Sequence, residues 1–436
     1  MKKGVDLYNK AKTLIPGGTM LLSKRPEMHL PDLWPSYFHS AKGIMVTDLD
    51  NKTYTDMHIM GIGTNTLGYG YGPVDSAVQG VIEKGNMSTL NCPEEVELAE
   101  RLVEMHSWSD MVRFARSGGE ANAIAIRIAR AAAGKDKVAV CGYHGWHDWY
   151  LSANLTEDAG LDGHLLPGLD PLGVPKGLRG TTIPFQYNDL NEITNIVMNN
   201  PDLGVIKMEV MRNEAPNPGY LEGIRKLCNK YNIVLIFDEC TSGFRESYGG
   251  LHLKYGVEPD ICMFGKALGN GYAITAVLGR RDVMEAAQKT FISSTFWTER
   301  IGPVAALATL DSMKELRSWE VITEQGKKLR QRWLGIANEN NLNLTCFGIP
   351  ALSSFSLDSI HWLKYKTYIT QEMLKRGFLA SNSVYLCIDH TDEVIEKYIM
   401  ELEEIFATIG KYEASGNDIS SLLEGPICHS GFKRLN

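Results

Sequence analysis

Short runs of almost purely apolar residues, separated by amphipathic helical patterns, dominate the middle of the chain. The clearest is Ile233-Val234-Leu235-Ile236-Phe237, which meets an acid pair, Asp238-Glu239, at its end. A strand with one wet face alternates apolar and polar residues, whereas an unbroken apolar run must be covered on both faces. Segments 111–115, 137–141, 205–210, 261–264 and 274–278 read the same way. Between them lie helical patterns at 94–105, opened by Pro93, at 120–133, closed by Gly134, at 220–230 and at about 302–317. Strand and helix alternating in this manner predict an α/β fold with a mostly parallel central sheet and helices on both faces.

Beyond about residue 317 the texture changes. Strand-like segments at 343–348 and 351–357, a helix at 364–376 and a last helix at 392–411 predict a smaller α+β domain. The N-terminal residues carry a helical pattern over 5–15, stopped by Pro16-Gly17-Gly18, and then a hairpin turning at Asp50-Asn51. The expected division is an N-terminal segment (1–60) packing with the small domain, a large domain (61–315) and a C-terminal small α+β domain (316–436).

Composition narrows the function classes. With 436 residues, 44% of them hydrophobic, the chain has material for a large core and is not a disordered one. Its 44 Lys+Arg against 52 Asp+Glu, a net charge of −8, argue against a nucleic-acid partner. The apolar run at 233–237 is far too short to span a bilayer, and no apolar stretch of the signal-peptide kind follows Lys2-Lys3. Eight cysteines without a Cys-x-x-Cys pair read as reduced thiols. The expectation is a cytoplasmic enzyme with no membrane partner.

In a parallel sheet, ligands gather beyond the carboxyl ends of the strands. Four such ends here carry glycine or charge. Ser117-Gly118-Gly119-Glu120-Ala121 opens a buried helix and would cradle a phosphate on backbone N–H groups, although a tight turn without ligand has the same sequence. Asp238 follows a buried strand, where it would pair with a protonated ligand nitrogen or serve as a cap or structural ion pair. Lys266, in Gly265-Lys266-Ala267-Leu268-Gly269, reads either as an amine of lowered pKa suited to Schiff-base chemistry or as a solvated lysine; the glycine spacing is not that of a P-loop. Gly142-Tyr143-His144-Gly145-Trp146-His147-Asp148-Trp149 offers aromatic faces for a flat ring, and a metal reading of His144, His147 and Asp148 is weaker because no second ligand cluster exists. A phosphate cradle, an aromatic platform, a buried acid and an amine nucleophile together are the parts that hold pyridoxal 5'-phosphate.

These segments, with Gly243-Phe244-Arg245, Tyr248-Gly249-Gly250, Gly256-Val257-Glu258-Pro259-Asp260 and His390-Thr391-Asp392-Glu393, resemble the class III pyridoxal-phosphate aminotransferases of fold type I. The glutamate-1-semialdehyde aminomutase branch looks nearest, and the motifs keep family order from about residue 5 to 410. The resemblance implies a homodimer with shared active sites. Lys266 would be the catalytic Schiff-base lysine and Asp238 the partner of the pyridine nitrogen. Ser117, Gly118 and Gly119 would hold phosphate, Tyr143 and His144 would flank the ring, and Glu209 and Asn213 would surround it. Thr295 would reach the neighbouring subunit's phosphate.

Departures from the family pattern bear on substrate. Gly119 stands where threonine or serine is usual, and Trp297-Thr298-Glu299-Arg300 lengthens a compact segment. Lys24 or Arg25 aligns only approximately with an aminomutase arginine. Lys24, Arg25, Trp146, His147, Trp297 and Arg300 are therefore the candidate substrate residues, in a pocket suited to a hydroxylated substrate such as a keto-sugar; tryptophans packing between subunits explain the same residues. The leading expectation is transfer of an amino group from a small-molecule donor to an aldehyde or keto acceptor. Intramolecular transfer of the glutamate-1-semialdehyde 2,1-aminomutase type is the alternative, and a non-catalytic pyridoxal-phosphate-binding protein a third.

Overall fold

The structure, a computed structural model, describes residues 2–156, 160–164 and 167–431. It divides into two units, Met1–Tyr71 with Glu320–Asn436, and Gly72–Trp319. Strands are numbered along the chain. In the first unit, β1 (Phe38–Lys42), β2 (Met45–Asp48) and β3 (Thr53–Met57) form an antiparallel meander. The β2–β3 turn falls at Asp50-Asn51, where the Asp48 carboxylate accepts the Asp50 and Lys52 N–H groups at 2.8 and 2.9 Å. Asparagine tolerates the left-handed backbone that Asn51 adopts there.

The second unit contributes β4 (Met111–Ala115), β5 (Lys137–Cys141), β6 (Thr182–Pro184), β7 (Leu203–Met208), β8 (Val234–Glu239), β9 (Ile261–Phe264) and β10 (Thr275–Gly279). They form one sheet in the order β4-β10-β9-β8-β7-β5-β6. Only β10 runs antiparallel to its neighbours β4 and β9; the other pairs are parallel. Every residue of β7, β8, β9 and β10 is buried. Ile236, Met263 and Val277 pack in one cluster with Ala121, Ile124 and Ile128 of the Gly118–Ala133 helix. Their strand neighbours Leu235 and Phe237, pointing to the opposite face, are equally buried, which is why no polar alternation marks these strands.

The chain then returns to the first unit with β11 (Leu344–Phe347), β12 (Leu352–Leu357), β13 (Phe378–Ala380) and β14 (Ser383–Tyr385). β13 adds in parallel to β3, whereas β11, β12 and β14 form a separate antiparallel sheet. Trp333, Phe355, Tyr398 and Phe406 share one core with Met57 of β3, so both ends of the chain build the same domain. The strands β6, β13 and β14 and the Ser318–Glu339 helix have no counterpart in the sequence-based expectation. Among the described residues no helix is long and apolar enough to cross a membrane.

Candidate active site

β5, β7, β8 and β9 are parallel neighbours, so the residues that follow them meet at one edge of the sheet. β8 carries Asp238, which is 4% exposed. Its Oδ2 accepts a hydrogen bond from His144 Nδ1 at 2.9 Å and lies 3.5 Å from Lys207 Nζ; its Oδ1 accepts the Cys240 N–H at 3.2 Å. Burial alone would raise this carboxyl, but the Lys207 charge and the His144 bond outweigh it and hold Asp238 far below the usual range. Burial pushes His144 down to about 4, so its ring is neutral at physiological pH.

Lys266 follows β9. Its backbone N–H is held by the Cys240 carbonyl at 3.1 Å, and its Nζ donates to Thr241 Oγ1 at 2.5 Å. Burial, with repulsion from Arg212 second, lowers the amine to about 8. The Tyr143 N–H donates to Glu209 Oε2 at 3.1 Å, and the same oxygen takes Arg212 Nη1 at 3.0 Å. The Arg212 guanidinium lies 5.8 Å from the centre of the Tyr143 ring. Gly142 must be glycine: its φ is +110°, and a Cβ there would stand 2.5 Å from Glu209 Oε2. A cavity of about 150 Å³ opens beside these groups, lined by His164, Gln186, Tyr187, Glu209, Arg212 and Asn213.

The Gly118–Ala133 helix is fixed by a capping box in which Ser117 and Glu120 satisfy each other's backbone N–H groups. Ser117 therefore acts first as the cap, leaving the first-turn N–H groups of Gly118 and Gly119 without intrahelical acceptors. A Cβ on Gly118 would meet nothing within 4 Å, so this approach is open. A Cβ on Gly119 would lie 2.7 Å from His147 Cε1 and 3.4 Å from Trp146 Nε1. Trp146 stacks on His147 at 4.5 Å, which sets both rings against the helix N-terminus.

Thr295 opens an exposed turn, Thr295–Thr298. The Trp297 carbonyl accepts from Arg116 Nη2 at 2.9 Å. Arg300 grips Glu94 with two bonds, at 2.9 and 2.7 Å. Lys24 and Arg25 belong to the first unit, where the Arg25 guanidinium packs against Gly17. Lys207, Thr241 and Arg212 were not among the expected residues. For Lys207 a signal exists in the sequence, a single lysine inside the apolar strand Val205-Ile206-Lys207-Met208.

Residues 32–344 match the family model described as Aminotransferase class-III. The chain belongs to the class III aminotransferases. This aminotransferase is 33% identical over 425 residues to the 3-aminobutyryl-CoA aminotransferase of Cloacimonas acidaminovorans, covering 94% of this chain and 98% of that one. It is 30% identical over 432 residues to the glutamate-1-semialdehyde 2,1-aminomutase of Methanocaldococcus jannaschii, covering 93% and 98% respectively. Its fold is that of the FumI protein of Sphingopyxis sp. MTA144 in its PLP internal aldimine form, with a TM-score of 0.86, 23% identity and coverage of 97% of this chain and 100% of that one. The enzyme carries out pyridoxal-phosphate-dependent amino transfer on the fold type I scaffold. The residues fit that cofactor: an open glycine at a capped helix N-terminus, a buried ionised carboxylate and an amine of lowered pKa share one sheet edge.

Proposed function

We propose that this aminotransferase moves an amino group between a small-molecule amino donor and an aldehyde or keto acceptor, two separate molecules. The carrying observation is the Lys266 amine, lowered to about 8 and bonded to Thr241 at the sheet edge where Asp238 stands. Bound pyridoxal phosphate supplies an electron sink that lets the C–H bond beside the amino group ionise. Lys266 binds the cofactor and, as free base, takes a proton from one carbon and returns it at the other. Asp238 keeps the pyridine nitrogen protonated, with His144 orienting the carboxylate. Gly118, Gly119 and the helix N-terminus receive the phosphate. Tyr143 covers one ring face.

The polar cavity beside Glu209 and Arg212 supports a substrate with a polar arm, such as a hydroxylated carbonyl compound; His147, Trp146 and Trp297 do not line this cavity. Arg300 fixes its own segment through Glu94. Leu90, Trp146, Phe291 and Phe296 are exposed apolar side chains of one unit, and they support a homodimer in which Thr295 serves the neighbouring site. A cytoplasmic location accords with eight free thiols.

Purified enzyme given a candidate amino aldehyde and no separate donor decides between transfer modes. Intermolecular transfer either stops after one equivalent of cofactor is converted or, where the aldehyde also serves as acceptor, accumulates a dicarbonyl and a diamine as separate products. Sustained formation of the isomeric amino compound alone would establish the aminomutase reading, which the 30% identity to an aminomutase supports. A panel of donors, followed by the cofactor's absorbance change, then identifies the substrate class.

A further inference from the structure

Lys207 lies inside β7, all of whose residues are buried, and its side chain has no exposure. An ammonium in such a place must be paired or lose its proton. Its Nζ is 3.1 Å from the Met263 sulfur, a weak acceptor, and 3.5 Å from Asp238 Oδ2. Parallel pairing of β7 with β8 sets Lys207 opposite Ile236, two residues before Asp238, and the long side chain then reaches forward to the carboxylate. Asp238 thus has a resident cation that is part of the protein, in addition to the neutral His144 donor.

We propose that Lys207 is a positioning residue for the cofactor: it holds Asp238 ionised and aimed in the cofactor-free chain, so that the carboxylate is ready for a protonated pyridine nitrogen across the physiological pH range. The inference rests on the reading that Asp238 faces that nitrogen. Without Lys207 the carboxylate would keep only the His144 and Cys240 donors against full burial, and its protonation would enter the range where the enzyme works. A purely structural ion pair predicts otherwise: removing one partner would lower folding stability without giving the cofactor affinity a new dependence on pH.

Other titrating groups surround Asp238. Tyr143 and His144 follow β5, Glu209 follows β7, Cys240 follows β8, Cys262 sits on β9 and Lys266 follows it. Burial pushes Tyr143, Cys240 and Cys262 up, so all three stay neutral. His144 is already neutral above about 4. Glu209 is raised by burial, and Lys266 is lowered to about 8. Their effects cancel in a ratio of variant to unsubstituted protein.

The test measures the dissociation constant of pyridoxal phosphate from apo-protein by fluorescence quenching between pH 5.5 and 8. For Lys207→Met, the ratio of variant to unsubstituted Kd should rise about tenfold as pH falls across this range, and Lys207→Arg should hold it level. A level ratio in Lys207→Met overturns the proposal, as does the same slope in Lys207→Arg. Should the methionine variant not fold, Lys207→Gln is read by the same criterion. Asp238→Asn separates the two readings. If it leaves affinity unchanged, the role of Asp238 itself is wrong; if it weakens binding while Lys207→Met stays level, only the role of Lys207 is.

Discussion

Gly119 and His147 are in contact through the space a side chain would need: a Cβ on Gly119 would stand 2.7 Å from His147 Cε1 and 2.9 Å from Nδ1. Real Cβ atoms do not approach so closely, and the imidazole is itself held by stacking on Trp146. This accounts for glycine where a threonine or serine resembles the family pattern. Gly119→Thr should therefore push the ring off the helix N-terminus and weaken pyridoxal-phosphate binding about tenfold, roughly 1.4 kcal/mol. Gly119→Thr with His147→Gly should recover most of that loss. A single variant that binds as tightly as the unsubstituted chain in an equilibrium titration would show that the ring yields freely.

The pH dependence of cofactor attachment follows from Lys266. Its amine is lowered to about 8, first by burial and then by Arg212. Below that pH the amine is protonated and cannot attack, so attachment should slow about tenfold per pH unit. Above it the rate should level, whereas an ordinary lysine would keep gaining until about 10.4. Arg212→Met removes a repelling charge and should move the midpoint upward. Stopped-flow absorbance after mixing apo-protein with cofactor reads both profiles, and coincident midpoints would remove Arg212 from the account.

How far the sequence discloses this arrangement differs between residues for physical reasons. The strands Met111–Ala115, Lys137–Cys141 and Ile261–Phe264 have the expected bounds; Ile261–Phe264 is apolar along its whole length because it is covered on both faces, whereas Met111–Ala115 is only partly buried and carries Arg113. Asp238 and Lys266 stand out for the same reason, as charge placed directly against such a run. β6 spans only Thr182–Pro184, too short to show a period. The Ser318–Glu339 helix presents a sparse buried stripe, Ile322, Leu329, Trp333 and Ile336, with polar residues between. Lys207, Thr241 and Arg212 acquire their meaning only from residues brought beside them by strand pairing or loop return. Their partners are Asp238, Lys266 and Tyr143, and no spacing along the chain announces those contacts.

Next to Asp238, Glu239 does a different job, and its removal should cost stability. Its carboxylate accepts the Ser242 hydroxyl at 3.0 Å, the His252 N–H at 3.0 Å, His252 Nδ1 at 2.5 Å and the Leu251 N–H. Trp108 Nε1 donates to His252 Nε2 at 2.9 Å, which places the imidazole proton on Nδ1, facing Glu239. Cys262 lies within reach of the same two groups, but both carboxylate oxygens and both ring nitrogens are already engaged, so the cluster is a structural clasp. Burial opposes ionisation, yet the His252 bonds win and hold Glu239 below the ordinary glutamate range. A depressed carboxylate stabilises the fold above its unfolded-state pKa, and that contribution disappears as pH falls through the folded-state value. Because all four partners are donors, an amide would turn its NH₂ toward N–H groups and cannot substitute. Glu239→Ala and Glu239→Gln should each lose about 3 kcal/mol in urea unfolding of the apo-protein at pH 7. The deficit relative to the unsubstituted chain should shrink as pH falls below about 4.5. A glutamine variant as stable as the unsubstituted chain would mean that the clasp tolerates a donor and that His252 has reversed its tautomer to meet it.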